Sequence, residues 1–293
     1  MTAEGRVRSL SFWKGPIELA PLKGGVSNAS FTVRDKTGKY VARVGEDYPF
    51  HHVFREAEVI ASQAAFAAGL SPEVVHTEPG IMVVRFMEAR TFSEADVRAN
   101  AAACVAIVKR CHRDMGARVS GRANIFWVFH VLRDYFCTIT LANHFHVPDI
   151  PRWALDVERL EKAQVPLPII FGHHDLLPTN FMDDGKRLWL IDWEYGGFGT
   201  AMFDLANIAS NNQFTEKTER EMLEDYFEHP PNEALLRSFY AMKTASALRE
   251  AVWGMVSEIH LNAPGVDYVA YAREYLTRYE KMLADFYSKF GMT

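Results

Sequence analysis

One ten-residue segment constrains this chain more than any other: Phe171-Gly172-His173-His174-Asp175-Leu176-Leu177-Pro178-Thr179-Asn180. It follows an apolar run at 168–171 and turns at once to ionisable and amide side chains in the order H-x-D-x-x-x-x-N. At ordinary residue frequencies that order arises by chance in roughly 1% of chains this long. A second apolar run at 188–191 ends in Asp192, twelve residues past Asn180, and Asp183-Asp184-Gly185 lies between as turn chemistry. A hairpin about that turn would gather Asp175, Asn180 and Asp192 in one place. Asp183 and Asp184 are read as turn residues.

Such a trio suits phosphoryl transfer, which needs few covalent helpers. It requires one carboxylate near an attacking hydroxyl and oxygen ligands that hold magnesium against phosphates. Asp175 fits the first role; Asn180 and Asp192 fit the second.

The rest of the chain punctuates in two styles. Residues 17–23, 29–34 and 40–44 read as short strands, separated by Gly24-Gly25 and by Asp35-Lys36-Thr37-Gly38. A helical pattern over 52–68 puts Val53, Ala57, Ile60, Ala64 and Ala67 on one face and stops at Gly69. Strands at 74–76 and 81–87 follow, divided by Glu78-Pro79-Gly80. Thereafter helices dominate: one capped by Ser93 and running to about Arg113, then 126–144, 232–260 and 266–289, the last two split at Ala263-Pro264-Gly265. The expected fold is α+β in two lobes. Residues 1–88 form a small antiparallel β-sheet lobe with one helix, and 89–293 form a larger, mainly helical lobe.

Composition excludes several other classes. With 48% hydrophobic and 24% charged residues, the 293-residue chain can bury a core in each lobe. Its 32 basic and 37 acidic side chains leave a formal charge of -5, which offers no basic face to nucleic acid. No apolar run reaches the roughly 18–20 residues of a membrane span, and the first residues lack the apolar stretch of a signal peptide. Cys104, Cys111 and Cys137 have no CxxC spacing, so a cytoplasmic setting without disulfides is expected.

The 171–180 motif with its trailing Asp192 resembles the catalytic core of the aminoglycoside phosphotransferase and choline kinase superfamily, relatives of protein kinases that phosphorylate small hydroxyl compounds. The likeness extends from about Leu19 to the C-terminal helices. It implies Asp175 as catalytic base, Asn180 and Asp192 as magnesium ligands, and His173 as a brace for the loop. ATP and Mg2+ are the implied cofactors.

A nucleotide site is then expected in the small lobe. Gly24, Gly25, Ser27 and Asn28 occupy its first hairpin, where successive N–H groups and a hydroxyl can cradle phosphate. The third strand reads Tyr40-Val41-Ala42-Arg43-Val44; protein kinases and many aminoglycoside kinases carry Lys at this place, and an Arg such as Arg43 is similar to choline and ethanolamine kinases. Its partner should come from the next helix. Glu58 matches by its fourteen-residue distance to Pro72, with Glu56 the competing choice. Phe86 and Met87 mark the place where adenine would lie between the lobes.

Downstream, Asp192-Trp193-Glu194-Tyr195 and Phe203-Asp204-Leu205-Ala206-Asn207 resemble the choline/ethanolamine kinase branch, as do Trp253-Gly254 and Asp267-Tyr268 through Tyr271. Carried over, Tyr195, Trp253 and Tyr271 wall an ammonium pocket, with Glu194 nearby and Tyr268 a further candidate. Ring faces suit a quaternary ammonium at about 0.5–2 kcal/mol each, whereas a primary ammonium needs acceptors for its donors. Eukaryotic choline kinases carry another aromatic three residues before Trp253; here Glu250 stands there, beside Arg249. That exchange favours ethanolamine or another amino alcohol alongside choline. Kinases for thiamine, aminoglycosides or sugars on the same fold, and a non-catalytic pseudokinase, are the rival readings.

Overall fold

The period-two alternation of residues 29–44 builds the first sheet, because every second side chain can face one core. A computed structural model describes residues 1–22, 28–261, 263 and 265–291. In it β1 (Glu18–Leu22), β2 (Ala29–Asp35) and β3 (Gly38–Val44) form an antiparallel meander. Two further strands, β4 (Val74–Glu78) and β5 (Ile81–Arg85), complete the order β1-β2-β3-β5-β4. Phe31, Val33, Tyr40, Ala42, Val44, Ile81 and Val83 make its small core.

A short helix, α1 (Ala3–Arg8), closes that core with Val7, its N-terminus capped by Thr2 Oγ1 accepting from Gly5 N at 3.1 Å. The described part of 1–88 thus holds two α-helices where one was expected. Six residues with a single buried apolar side chain are too short to register as a period. The second helix, α2 (Arg55–Ala67), begins later than the pattern from 52 suggested. Pro49–His51 is a 3-10 turn, and His52 has a left-handed φ of 58°. Ala61, Ala64 and Ala65 of α2 belong to the large core, so this helix joins both lobes.

The sheet ends at Arg85, two residues before the expected limit, and β6 (Arg90–Thr91) starts a second sheet. Ser93 caps α3 (Glu94–Ala99) in a reciprocal box with Asp96. The single helix expected to Arg113 is broken at Asn100 (φ -120°, ψ 29°), and α4 (Ala101–Asp114) resumes it. The order then runs β7 (Asn124–Ile125), α5 (Val128–Leu141), α6 (Ile150–Lys162), β8 (Ile169–Gly172), β9 (Phe181–Asp183), β10 (Leu188–Leu190), β11 (Gly197–Thr200), α7 (Ala201–Asn211), α8 (Glu216–Phe227), α9 (Glu233–His260) and α10 (Tyr268–Phe290).

The apolar runs flanking the motif enter different sheets: β8 pairs with β11, and β10 with β9. Helix α9 is buried from Phe239 to Val252 on every side, which places it at the centre of the large lobe. No described helix is long and apolar enough to cross a membrane.

Candidate active site

Strand β8 delivers the motif and then must turn sharply. Gly172 permits this: a Cβ there would meet His174 Nε2 at 2.5 Å and Asp204 Oδ2 at 2.9 Å. The loop that follows is held by α7. Both oxygens of the Asp204 carboxylate accept backbone N–H groups, from His173 at 2.8 Å and His174 at 2.7 Å, while Asn207 Oδ1 accepts from Leu176 N at 2.6 Å. Asp204 is completely buried; burial raises its carboxyl, but the neighbouring His174 and His112 outweigh burial and the group is lowered. Residues 203–207 entered the sequence reading only as a family mark, and their role as the loop's scaffold had no sequence signal.

The candidate catalytic residues converge. Asn180 Nδ2 donates to the Asp175 backbone oxygen at 2.7 Å and to its Oδ2 at 3.1 Å, which turns the amide oxygen of Asn180 away from Asp175. The hairpin β9–β10 returns Asp192 to the same place, with Ile191 N donating to Asn180 O at 3.0 Å. Asp192 has φ 68° and His174 φ 62°, strained for side chains of this kind. His173 is fully buried beneath the loop, its Nε2 2.9 Å from Ile191 O and its ring 4.5 Å from that of Trp193. Asp183 and Asp184 cap the hairpin turn, accepting from Gly185 N and from Lys186 and Arg187 N.

Arg43 reaches this site from β3. It donates to Asp192 Oδ1 at 2.6 Å and lies 3.1 Å from Glu58 Oε1. Glu56 is exposed, so Glu58 is the helix partner. Glu58 also pairs with Arg55 at 2.5 Å, and Arg55 with Glu194 at 3.2 Å. The chain Asp192–Arg43–Glu58–Arg55–Glu194 therefore alternates in sign and ties both ends of the Asp192-Trp193-Glu194 segment to α2. Burial raises the Asp192 carboxyl, yet Arg43 overcomes it and the group is lowered; Glu194 is pushed up to about 7 by burial and by Asp192 and Glu58. Asp175 is raised well above the usual carboxylate range by burial and then Glu250, with Arg249 pulling the other way.

A cavity of about 550 Å³ runs through the site. It is lined by Asn28, Val41, Phe86, Met87 and Ile191, by Arg43, Asp175, Asn180 and Asp192, and by Glu194, Tyr195, Glu250, Trp253 and Tyr271. Tyr268 is not in this lining; it stands beside Trp253, with ring centroids 6.2 Å apart. Gly24, Gly25 and Ser27 lie outside the described residues.

Within that lining Trp253 Nε1 donates to Tyr195 Oη at 3.0 Å, and Tyr271 Oη donates to Glu250 Oε2 at 2.7 Å. Arg249 supplies what the sequence did not signal. It is 1% exposed, pairs with Glu250 Oε1 at 2.7 Å and sits 4.4 Å over the Tyr195 ring. Glu250 thus has each oxygen engaged once, and a carboxylate oxygen with one partner can still accept a second.

The five-stranded sheet, the helical lobe and the cleft between them define a two-lobe protein-kinase-like α+β fold. Within that class the chain belongs to the choline/ethanolamine kinase family, whose model matches residues 19–280. A choline/ethanolamine kinase family protein from Mesorhizobium loti is similar over 99% of this chain and 98% of its own, with 26% identity and a TM-score of 0.76. Protein LicA from Haemophilus influenzae is 27% identical over 209 residues, 69% of this chain and 61% of LicA. A probable ethanolamine kinase from Arabidopsis thaliana is 29% identical over 209 residues, 64% of this chain and 54% of the relative. The matched segments thus span less than two thirds of these two relatives.

Proposed function

We propose that the chain is an ATP-dependent kinase that phosphorylates the hydroxyl of a small amino alcohol such as ethanolamine or choline. One observation carries this reading: Asp175, Asn180 and Asp192 share a single cavity with the aromatic and acidic set Tyr195, Glu250, Trp253 and Tyr271. Residues 1–88 serve as the nucleotide-binding lobe and 89–293 as the catalytic and substrate-binding lobe. The apolar lining at Phe86 and Met87 takes the adenine, and Asn28 with Arg43 faces the phosphates.

Asn180 and Asp192 are the magnesium ligands in this reading. Among the described residues no group of three or more His, Cys, Asp or Glu could hold a metal unaided. Two oxygen donors suit magnesium, which keeps waters and phosphate oxygens in its remaining positions. When bound, the ion neutralises charge on the transferring phosphate.

Asp175 takes the proton of the substrate hydroxyl as its oxygen bonds to the γ-phosphorus and the bond to the β-phosphate oxygen breaks. Its raised affinity for protons makes it a stronger base than an exposed carboxylate. The ammonium lies against Trp253, Tyr195 and Tyr271, and the Glu250 carboxylate balances its charge. Buried Cys104 and Cys111, both free thiols, suit the reducing cytoplasm.

The test is ADP release with magnesium–ATP across ethanolamine, its N-methylated series, choline, thiamine and an aminoglycoside. Turnover confined to the first group supports the proposal. Turnover only with thiamine or the aminoglycoside removes the substrate assignment, and none with any of them leaves a non-catalytic binding module.

A further inference from the structure

The loop between β3 and α2 leaves the small lobe and ends buried in the large one. Tyr48 and Val53 close it by reciprocal backbone hydrogen bonds of 2.9 and 3.1 Å. Between them Phe50 stacks on His260, with centroids 4.4 Å apart and planes 20° apart, and His51 is 2% exposed. Both nitrogens of His51 have partners in the large lobe: Nδ1 is 3.1 Å from Tyr135 Oη on α5, and Nε2 is 2.9 Å from Ser257 Oγ on α9. The imidazole lies nearly parallel to the indole of Trp253, 5.1 Å away at 21°.

Trp253 therefore has one face covered by His51, its Nε1 held by Tyr195, and Tyr271 edge-on at 5.5 Å. Trp253 also lines the cavity, with Tyr268 6.2 Å away. A cation binds a ring by its quadrupole, so strength depends on where the ring face stands. Burial first, then Arg249, His260 and His52, lower the proton affinity of His51 well below that of an ordinary histidine. The imidazole backing the indole is thus uncharged and does not itself repel a cation on the ring.

We propose that His51 is a positioning residue for the amine pocket, reaching from the nucleotide-side lobe to fix the indole of Trp253. This rests on the reading of Trp253 as a wall for the substrate's ammonium. The same loop runs on into α2, where Asp47 Oδ1 accepts from Arg55 N at 2.8 Å, so one short segment supports both the ammonium wall and the Arg55–Glu58 pair.

The experiment compares His51→Ala, His51→Phe, His51→Gln and Trp253→Ala in the full chain by steady-state kinetics toward the preferred amine and ATP, with thermal melting of each. His51→Ala should raise the amine KM about tenfold while the ATP KM stays within about twofold. His51→Phe keeps a ring on the indole and should lie closer to the native enzyme than His51→Gln, which keeps polar contacts without a ring. A folded His51→Ala enzyme with native amine KM overturns the proposal. So does equal performance of the Phe and Gln variants, which decide the matter should the Ala variant fail to fold. If Trp253→Ala itself leaves the amine KM unchanged, the ammonium-wall reading fails; if only that variant raises it, His51 alone loses its role.

Discussion

Arg43 Nη2 stands 2.6 Å from Asp192 Oδ1, a contact between residues 149 positions apart that joins the sheet of the small lobe to the hairpin of the large one. The same Nη2 lies 3.1 Å from Glu58 Oε1, so one nitrogen faces two carboxylates.

Replacing Arg43 tests that arrangement. Arg43→Ala should lower kcat/KM for ATP about 10²-fold, because the preorganised charge proposed to face the phosphates is lost. Arg43→Lys should recover part of the loss, since an ammonium keeps the charge but lacks the paired planar donors that a guanidinium offers to phosphate. Initial rates against ATP concentration measure both; a native value for Arg43→Lys would show that the fork geometry is dispensable.

Asp175→Asn keeps the volume and the Asn180 contact while removing the carboxylate proposed as the base. It should reduce kcat about 10³-fold, with the KM for ATP moving far less. ADP release at saturating amine is the measurement, and retained turnover would reassign the base.

Buried histidines make the fold sensitive to acid. His174 is lowered to about 4 by burial, which outweighs the attraction of Asp204. An unfolded histidine binds a proton near pH 6.5, so between those values the unfolded chain holds more protons than the folded one. The stability from a neutral His174 is complete above about pH 6.5 and drains away as pH falls toward 4, amounting to about 2 kcal/mol between pH 7 and 5. Lowered His51 and His173 act in the same direction over that range, and lowered Asp204 does so only below the ordinary carboxylate value of 3.8. Urea midpoints across that range should fall with acid, and His174→Gln should flatten the slope.

Glu250 is paired with Arg249 and Tyr271, so its removal acts on stability and selectivity together. Glu250→Gln should raise the KM for ethanolamine about tenfold more than that for choline, because only the primary ammonium has donors to leave unmet. It should also lower the melting temperature, as Arg249 keeps its charge in a buried place without its counter-ion. Equal effects on both amines would free Glu250 of any part in selectivity.

Local chemistry decided what could be read in advance. Short strands, turns and the 171–180 motif depend on neighbours along the chain, so the α+β architecture and the trio Asp175, Asn180 and Asp192 were legible as residues. The partner of Arg43 remained divided between Glu56 and Glu58, since both are two residues apart on one helix; only docking of α2 turned Glu58 inward. Tyr268 is a pocket candidate only through the family resemblance; packing puts it beside Trp253 and outside the cavity lining.

Arg249, His51 and Arg55 carried no signal at all. A charged or imidazole side chain on a helix or loop ordinarily faces water, and its burial depends on partners such as Glu250, Ser257 and Glu194 that lie elsewhere in the chain or on a face known only after folding. The sequence by itself marked the groups proposed for phosphoryl transfer, because reactivity belongs to residue types in a tight local order. Tertiary structure alone decided which charges neutralise one another and which ring faces stay open, because both depend on long-range contacts that no local spacing encodes.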